Sequence, residues 1–152
     1  MEHTLKLNQN TRNQKQSNVN YNMENNSEKL PTFTLDTVTT ELFDTTADKT
    51  ASIISNSKVN NSSQLRRFYD ELLLWYERAN VDDEAFKSTL PFIYMMKSKV
   101  AYAVGRKNVD EIFQAFMNNL INQIKDRKTL KNAKLFMEAV MGFYKQHRPN
   151  DK

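Results

Sequence analysis

Asp82, Asp83 and Glu84 stand in a row, and neighbouring carboxylates are the natural place to seek general acid–base chemistry. Acids that open an amphipathic run also answer the positive end of a helix, whose first amides lack partners. That capping role is the expected one here, and Asp110, Glu111 and Asp126 fall to the same argument. The chain has no Cys, and His3 and His147 are its only histidines. Disulfides, thiolate metal sites and a cysteine nucleophile are therefore excluded, and zinc or His-based catalysis has almost nothing to draw on. His147, beside Arg148 and Pro149, is expected to be solvated. No GxxxxGK[ST], GxSxG or HExxH pattern occurs, so neither a phosphate loop, a nucleophile elbow nor a zinc protease helix is present. No enzyme activity, cofactor or metal is expected.

The basic residues offer more. Residues 1–60 hold six Lys/Arg against seven Asp/Glu, whereas residues 61–152 hold sixteen against eleven. Positive charge thus gathers in the second part of the chain, as binding of a polyanion requires. Arg66 and Arg67 open a helix, where the dipole disfavours cations and attracts anions; ion pairs Arg66–Asp70 and Arg67–Glu71 at i, i+4 are the competing explanation. Lys97 and Lys99 lie on the next helix, and Arg106 and Lys107 follow Gly105. Arg127, Lys131 and Lys134, with Lys145 and Arg148 further on, fall close to one side of the last helix, interrupted by Glu138; a merely solvated face is the alternative there.

These side chains are positioned by helices that the apolar spacing makes plain. Residues 1–31 are rich in Asn, Gln, Ser, Thr and Lys without apolar period, and are expected to be a disordered tail. From residue 32 to 148 a single domain is expected. A Thr-rich pattern over about 41–55 places Leu42, Phe43, Ala47, Ala51 and Ile54 on one face. After a polar linker, Ser62 or Ser63 can cap a helix with Leu65, Phe68, Tyr69, Leu72, Leu73 and Tyr76 on its stripe. Asp82 and Asp83 open the next pattern, with Phe86 and Leu90. Pro91 either kinks this helix or begins a new one, and the stripe Ile93, Met96, Val100, Val104 ends at Gly105. Asn108 with Glu111 resembles a capping box before Val109, Ile112, Phe113, Phe116, Met117, Leu120 and Ile124. The last helix runs from Asp126 or Thr129 to Gln146 through Leu130, Ala133, Phe136, Met137, Val140, Met141, Phe143 and Tyr144. Trp75, Tyr94 and Tyr102 fall off the strictest stripes and read as packing or interface residues; Met95 reads as core or interface filler. No strand pattern occurs, so the fold class is all-α, a compact bundle of about five helices with a disordered N-terminal tail. No apolar run spans a membrane and no secretory signal is visible, so a cytoplasmic protein is expected.

Three segments in order resemble a known family. SSQLRRFYDELL, MMKSKVAYAVGRK and LKNAKLFMEAVMGFYK are similar to the [ST]-S-x-L-R opening, the basic-x-x-x-x-Y-x-x-G-R segment and the F-x-x-[FY]-x-E-A ending of the small subunits of type III-A (Csm) CRISPR RNA-guided effector complexes. The resemblance covers about Asn61 to Lys145. It implies a non-catalytic five-helix bundle, several copies of which lie along guide (crRNA) and target RNA in antiviral defence. It also implies contact with the backbone subunits, the large polymerase-like subunit and further copies of itself. Arg66, Lys97 and Arg106 match the family's basic positions and are expected to form one RNA-binding patch; Arg67, Lys99, Lys107, Arg127, Lys131 and Lys134 join them on electrostatic grounds alone. Glu138 and Ala139 match an E-A pair expected to serve packing or a helix-end contact rather than catalysis. Gly142 stands where the family often has Ala, which costs helix stability unless a neighbouring helix approaches closely. The alternative function is a helical protein–protein scaffold with no nucleic-acid role.

Overall fold

The computed structural model describes residues 29–151. Most of the segment expected to be a disordered tail lies outside the described residues; of its end, Leu30 packs against the core. Five α-helices follow, and no strand occurs among the described residues. A π-helical turn, Leu42–Thr46, runs directly into α1, Ala47–Ser55. Then come α2, Ser62–Ala79, α3, Asp83–Gly105, α4, Glu111–Asn122, and α5, Arg127–His147. Helix α5 packs between α1 and α2, α2 also packs on α3, and α3 on α4.

Aromatic side chains join these layers. Phe68 of α2 meets Phe113 of α4 at 5.6 Å between ring centroids, and Phe116 meets Phe136 of α5 edge-on at 6.0 Å. Phe33 then packs on Phe136 at 4.6 Å, so the irregular segment before the π turn completes the core. Its backbone is satisfied by side-chain amides: Gln123 accepts from the Leu35 N–H at 2.8 Å and donates to the Phe33 carbonyl at 3.0 Å, while Asn132 donates to the Leu35 carbonyl at 2.8 Å. Leu35 is wholly buried. An irregular run bonded by side chains leaves no helical or strand period in the sequence.

The expected helices are present, with different ends. Asn61, not Ser62 or Ser63, caps α2, its side chain accepting from the Gln64 N–H at 3.2 Å. Asp82 caps α3 through the Ala85 N–H at 2.7 Å. That helix continues through Pro91; the carbonyl left without a donor belongs to Lys87, and both residues are exposed, where water can serve. Gly105 is its last residue, yet the left-handed position is Lys107, with φ 61°. Asn108 N–H donates to Ala103 O and Lys107 N–H to Val104 O, both at 2.9 Å, the paired bonds of a Schellman ending. Asn108 is thereby committed to the end of α3, which is why Asp110 caps α4 instead, accepting from the Phe113 N–H at 2.9 Å. Ile112, expected on the core stripe, is exposed. Asp126 and Thr129 form a true capping box at the start of α5.

Two predictions follow from this packing. Leu72 and Phe116 are buried on separate helices, so Leu72→Ala should cost about 2–5 kcal/mol and Phe116→Ala about 3–5 kcal/mol in urea unfolding. The amide and hydroxyl of Thr129 hold the Asp126 carboxyl below the ordinary aspartate range. A value lowered by folding means that the cap's stabilisation is full above the unfolded value of about 4 and is lost as pH falls through the native value. Asp126→Ala should cost about 1 kcal/mol at neutral pH. Asp126→Asn should flatten the acid limb of stability measured from pH 7 downward; parallel limbs in wild type and variant would contradict this assignment.

Candidate nucleic-acid interface

Helices α2 and α3 run side by side, and the seam between them opens as a groove. Arg67, Phe68 and Glu71 line it from α2; Ser98, Lys99, Tyr102 and Ala103 line it from α3, with Arg106 at its C-cap and Asn108 beyond. Three cations from two helices thus converge there. Glu71 is the single acid among the lining residues. It pairs with Lys99 and accepts from the Trp75 indole N–H at 3.3 Å, so the expected Arg67–Glu71 pair does not form and Arg67 is left exposed. Arg106 lies 5.7 Å from the centre of the Tyr102 ring and donates to its hydroxyl at 3.1 Å. Lys107, exposed, follows at the end of α3.

Farther along the seam the chemistry changes. Trp75 and Phe92 stack at 5.4 Å, with the Arg78 guanidinium 5.3 Å from the Trp75 ring centre. Leu74, Val81, Phe92 and Met95 are exposed there. Met95, read as core or interface filler, is therefore not a core residue.

Arg66, Lys97 and Arg106 do not form one patch. Only Arg106 reaches the groove. Arg66 points the other way from α2, into a second groove shared with Tyr69, Glu138, Met141, Gly142 and Lys145, and forms the i, i+4 pair with Asp70 at 3.1 Å. Lys97 bonds the Asn122 side chain at the end of α4 and covers the Tyr94 ring at 4.6 Å. The reason is angular: residues 66 and 67, or 97 and 99, differ by about 100° per residue around a helix.

The expectation that the N-terminus of α2 draws an outside anion also needs correction. The chain's own Asp151 occupies it, accepting from the Ser62 N–H at 2.8 Å and the Tyr144 hydroxyl at 2.6 Å. Burial opposes charge on this carboxyl, but those two donors and Arg148 hold it below the ordinary aspartate range; burial and the bond to Asp151 push the Tyr144 phenol up. His147 is likewise not free: its ring lies 2.7 Å from Asp48. Glu138 accepts from the Tyr69 hydroxyl at 3.3 Å and pairs with Lys134.

On α5, Arg127 pairs with Asp83 at 2.9 Å and Lys134 lies 5.3 Å from the Tyr76 ring centre. Lys131 is exposed between them. This basic side is separate from the seam and partly neutralised. Among the described residues no cluster of three or more His, Cys, Asp or Glu is placed to hold a metal, and no helix is long and apolar enough to cross a membrane.

Tyr102, read as a packing or interface residue, is 66% exposed and lies on a second stripe of α3. Phe92, Met95, Lys99, Tyr102 and Arg106 recur at offsets 0, 3, 7, 10 and 14. That is a second stripe, one residue out of step with the buried Ile93, Met96, Val100 and Ala103.

The fold and the seam together define a small all-α bundle with a basic and aromatic face. The model of the family described as Csm2 Type III-A matches residues 37–150, and the chain belongs to that family. It is accordingly a small subunit of a type III-A CRISPR complex, in a family of non-catalytic subunits. Neither the curated proteins nor the solved structures yield a match.

Gly142 generates a prediction of its own. Apart from its own helix backbone and chain neighbours, no atom lies within 4 Å of where a Cβ would stand, so close helix packing does not explain the glycine. Gly142→Ala should stabilise the chain by about 0.5–1 kcal/mol in thermal or urea unfolding; a destabilised variant would show that this face is tighter than described.

Proposed function

We propose that the chain holds the backbone of guide and target RNA, without sequence choice, through the α2–α3 groove. The observation that carries the reading is the convergence of Arg67, Lys99 and Arg106 against one acid, Glu71. Rigid helices present these charges at fixed spacing, which suits phosphates and leaves sequence to guide–target base pairing. Lys107 extends the positive end. Arg127, Lys131 and Lys134 form a secondary basic side, and Arg66 and Lys97 contribute at the flanks. Partners within the complex are the backbone subunits, the large polymerase-like subunit and further copies of the chain, in a cytoplasmic antiviral effector. The exposed Leu74, Val81, Phe92 and Met95 favour a protein contact at the opposite end of the same seam, and this observation also supports the scaffold reading.

Arg67→Ala and Arg106→Ala should each weaken RNA binding equally for unrelated sequences. Each should lower the magnitude of the log K against log salt slope by about 0.7 to 0.9. Glu71→Gln should tighten binding by freeing Lys99. Folded variants with unchanged affinity and slope would remove the groove from RNA contact. In that event Arg127, Lys131 and Lys134 are the next to test, and no salt-linked affinity in the wild type would favour the scaffold.

A further inference from the structure

We infer that the groove also takes one unpaired nucleotide, its base stacked on the Tyr102 ring and its phosphate on Arg67 and Lys99. The inference rests on the RNA reading above and adds a substrate class to it. Tyr102 is 66% exposed, far more than Tyr94 at 38%. An exposed ring gains little in folding, because its apolar surface stays in water. Yet the ring is not loose: Arg106, one turn along the helix, lies 5.7 Å from its centre and bonds its hydroxyl at 3.1 Å. A ring held by its own helix, with much of its surface open above cations from two helices, is a preorganised stacking platform.

Every base presents a π-face, so stacking tolerates any sequence, as a subunit of a guide-directed complex must. A base inside a duplex already has neighbours on both faces. Only an unpaired or extruded base can use Tyr102, whereas the phosphates of paired RNA can still use Arg67 and Lys99. The Asn108 amide and the Ser98 hydroxyl line the same groove and offer a donor or acceptor to a base edge without demanding one base.

The test uses the full chain and three RNA probes: a single strand, a perfect duplex, and a duplex with a one-nucleotide 2-aminopurine bulge. Wild type should favour the bulged over the perfect duplex by ~5- to 150-fold, the span of one base stacked on an aromatic ring, and should quench the bulge fluorescence. Tyr102→Ala should abolish preference and quenching with the salt slope unchanged, because no counterion is involved. Tyr102→Phe should retain both. If Tyr102→Ala keeps the preference and quenching while Arg67→Ala still lowers the slope, stacking is overturned and the backbone reading stands. If Arg67→Ala and Lys99→Ala also change nothing, the backbone reading falls and this inference with it. Loss of complex assembly in Tyr102→Ala, with bulge preference intact, would assign the ring to a protein partner and overturn the proposal.

Discussion

Asn60 is wholly buried and left-handed, with φ 59°, in the short linker before α2. Its polar groups are spent on tying the bundle together. The side-chain oxygen accepts from the Asp110 N–H at 2.8 Å, the side-chain amide donates to Ile54 O at 3.3 Å, and the backbone N–H donates to Asn108 O at 3.3 Å. Its carbonyl lies 2.7 Å from the buried Tyr144 hydroxyl, sharing that group's single proton with the Asp151 carboxylate. Four places in the chain therefore meet at one residue: the end of α1, the start of α2, the α3–α4 loop and α5. A side chain that visits the left-handed region readily and carries both donor and acceptor is what this junction needs, and Asn is such a residue. Because the polar groups are out of water, each lost partner would leave an unsatisfied group at a cost of about 1–3 kcal/mol.

The groove depends on that junction. The backbone reversal at Asn60 sends Asn61 into the extended conformation that caps α2, and the bond to Asn108 holds the end of α3 beside the start of α2. Arg67 and Arg106, distant in sequence, are neighbours for this reason. The return of Asp151 to the Ser62 N–H reinforces the same corner. It satisfies a helix amide that Arg66 and Arg67, as cations in the first turns, cannot satisfy.

Helix faces were legible in the sequence because burial imposes a 3.6-residue period, and Leu72, Phe116, Met137 and Val140 are all buried where their stripes put them. Helix ends were less so. Ser62 and Ser63, or Asn108 and Glu111, satisfy a local capping rule, but the caps are Asn61 and Asp110 because Asn60 and the Schellman turn commit the neighbouring backbone. The Phe33–Leu35 segment was silent for a different reason: its partners are single amides on Gln123 and Asn132, 90 and 97 residues away in the case of Phe33–Gln123 and Leu35–Asn132. Of the candidate groove, Arg67, Lys99 and Arg106 were legible as basic residues of the chain, but grouping Arg66, Lys97 and Arg106 by motif ignored helix angle, which separates them. The second stripe of α3 was visible in principle and hidden in practice, since it mixes Phe, Met, Lys, Tyr and Arg and no single residue class repeats.

That mixture has a spatial logic. From Phe92 to Arg106 is fourteen residues, roughly 21 Å of helix at 1.5 Å per residue. One end of the stripe is apolar, beside Trp75 and Leu74; the other is cationic, beside Arg67. On the reading proposed here, one rigid helix then meets a protein surface and an RNA backbone at a fixed separation. On that reading a single subunit would make few phosphate contacts and bind weakly. Copies held in a row by their apolar ends would present their cationic ends to one RNA together, and effective concentration converts weak contacts into firm retention. Sequence independence would follow from the same division, because neither phosphates nor stacked base faces distinguish one sequence from another.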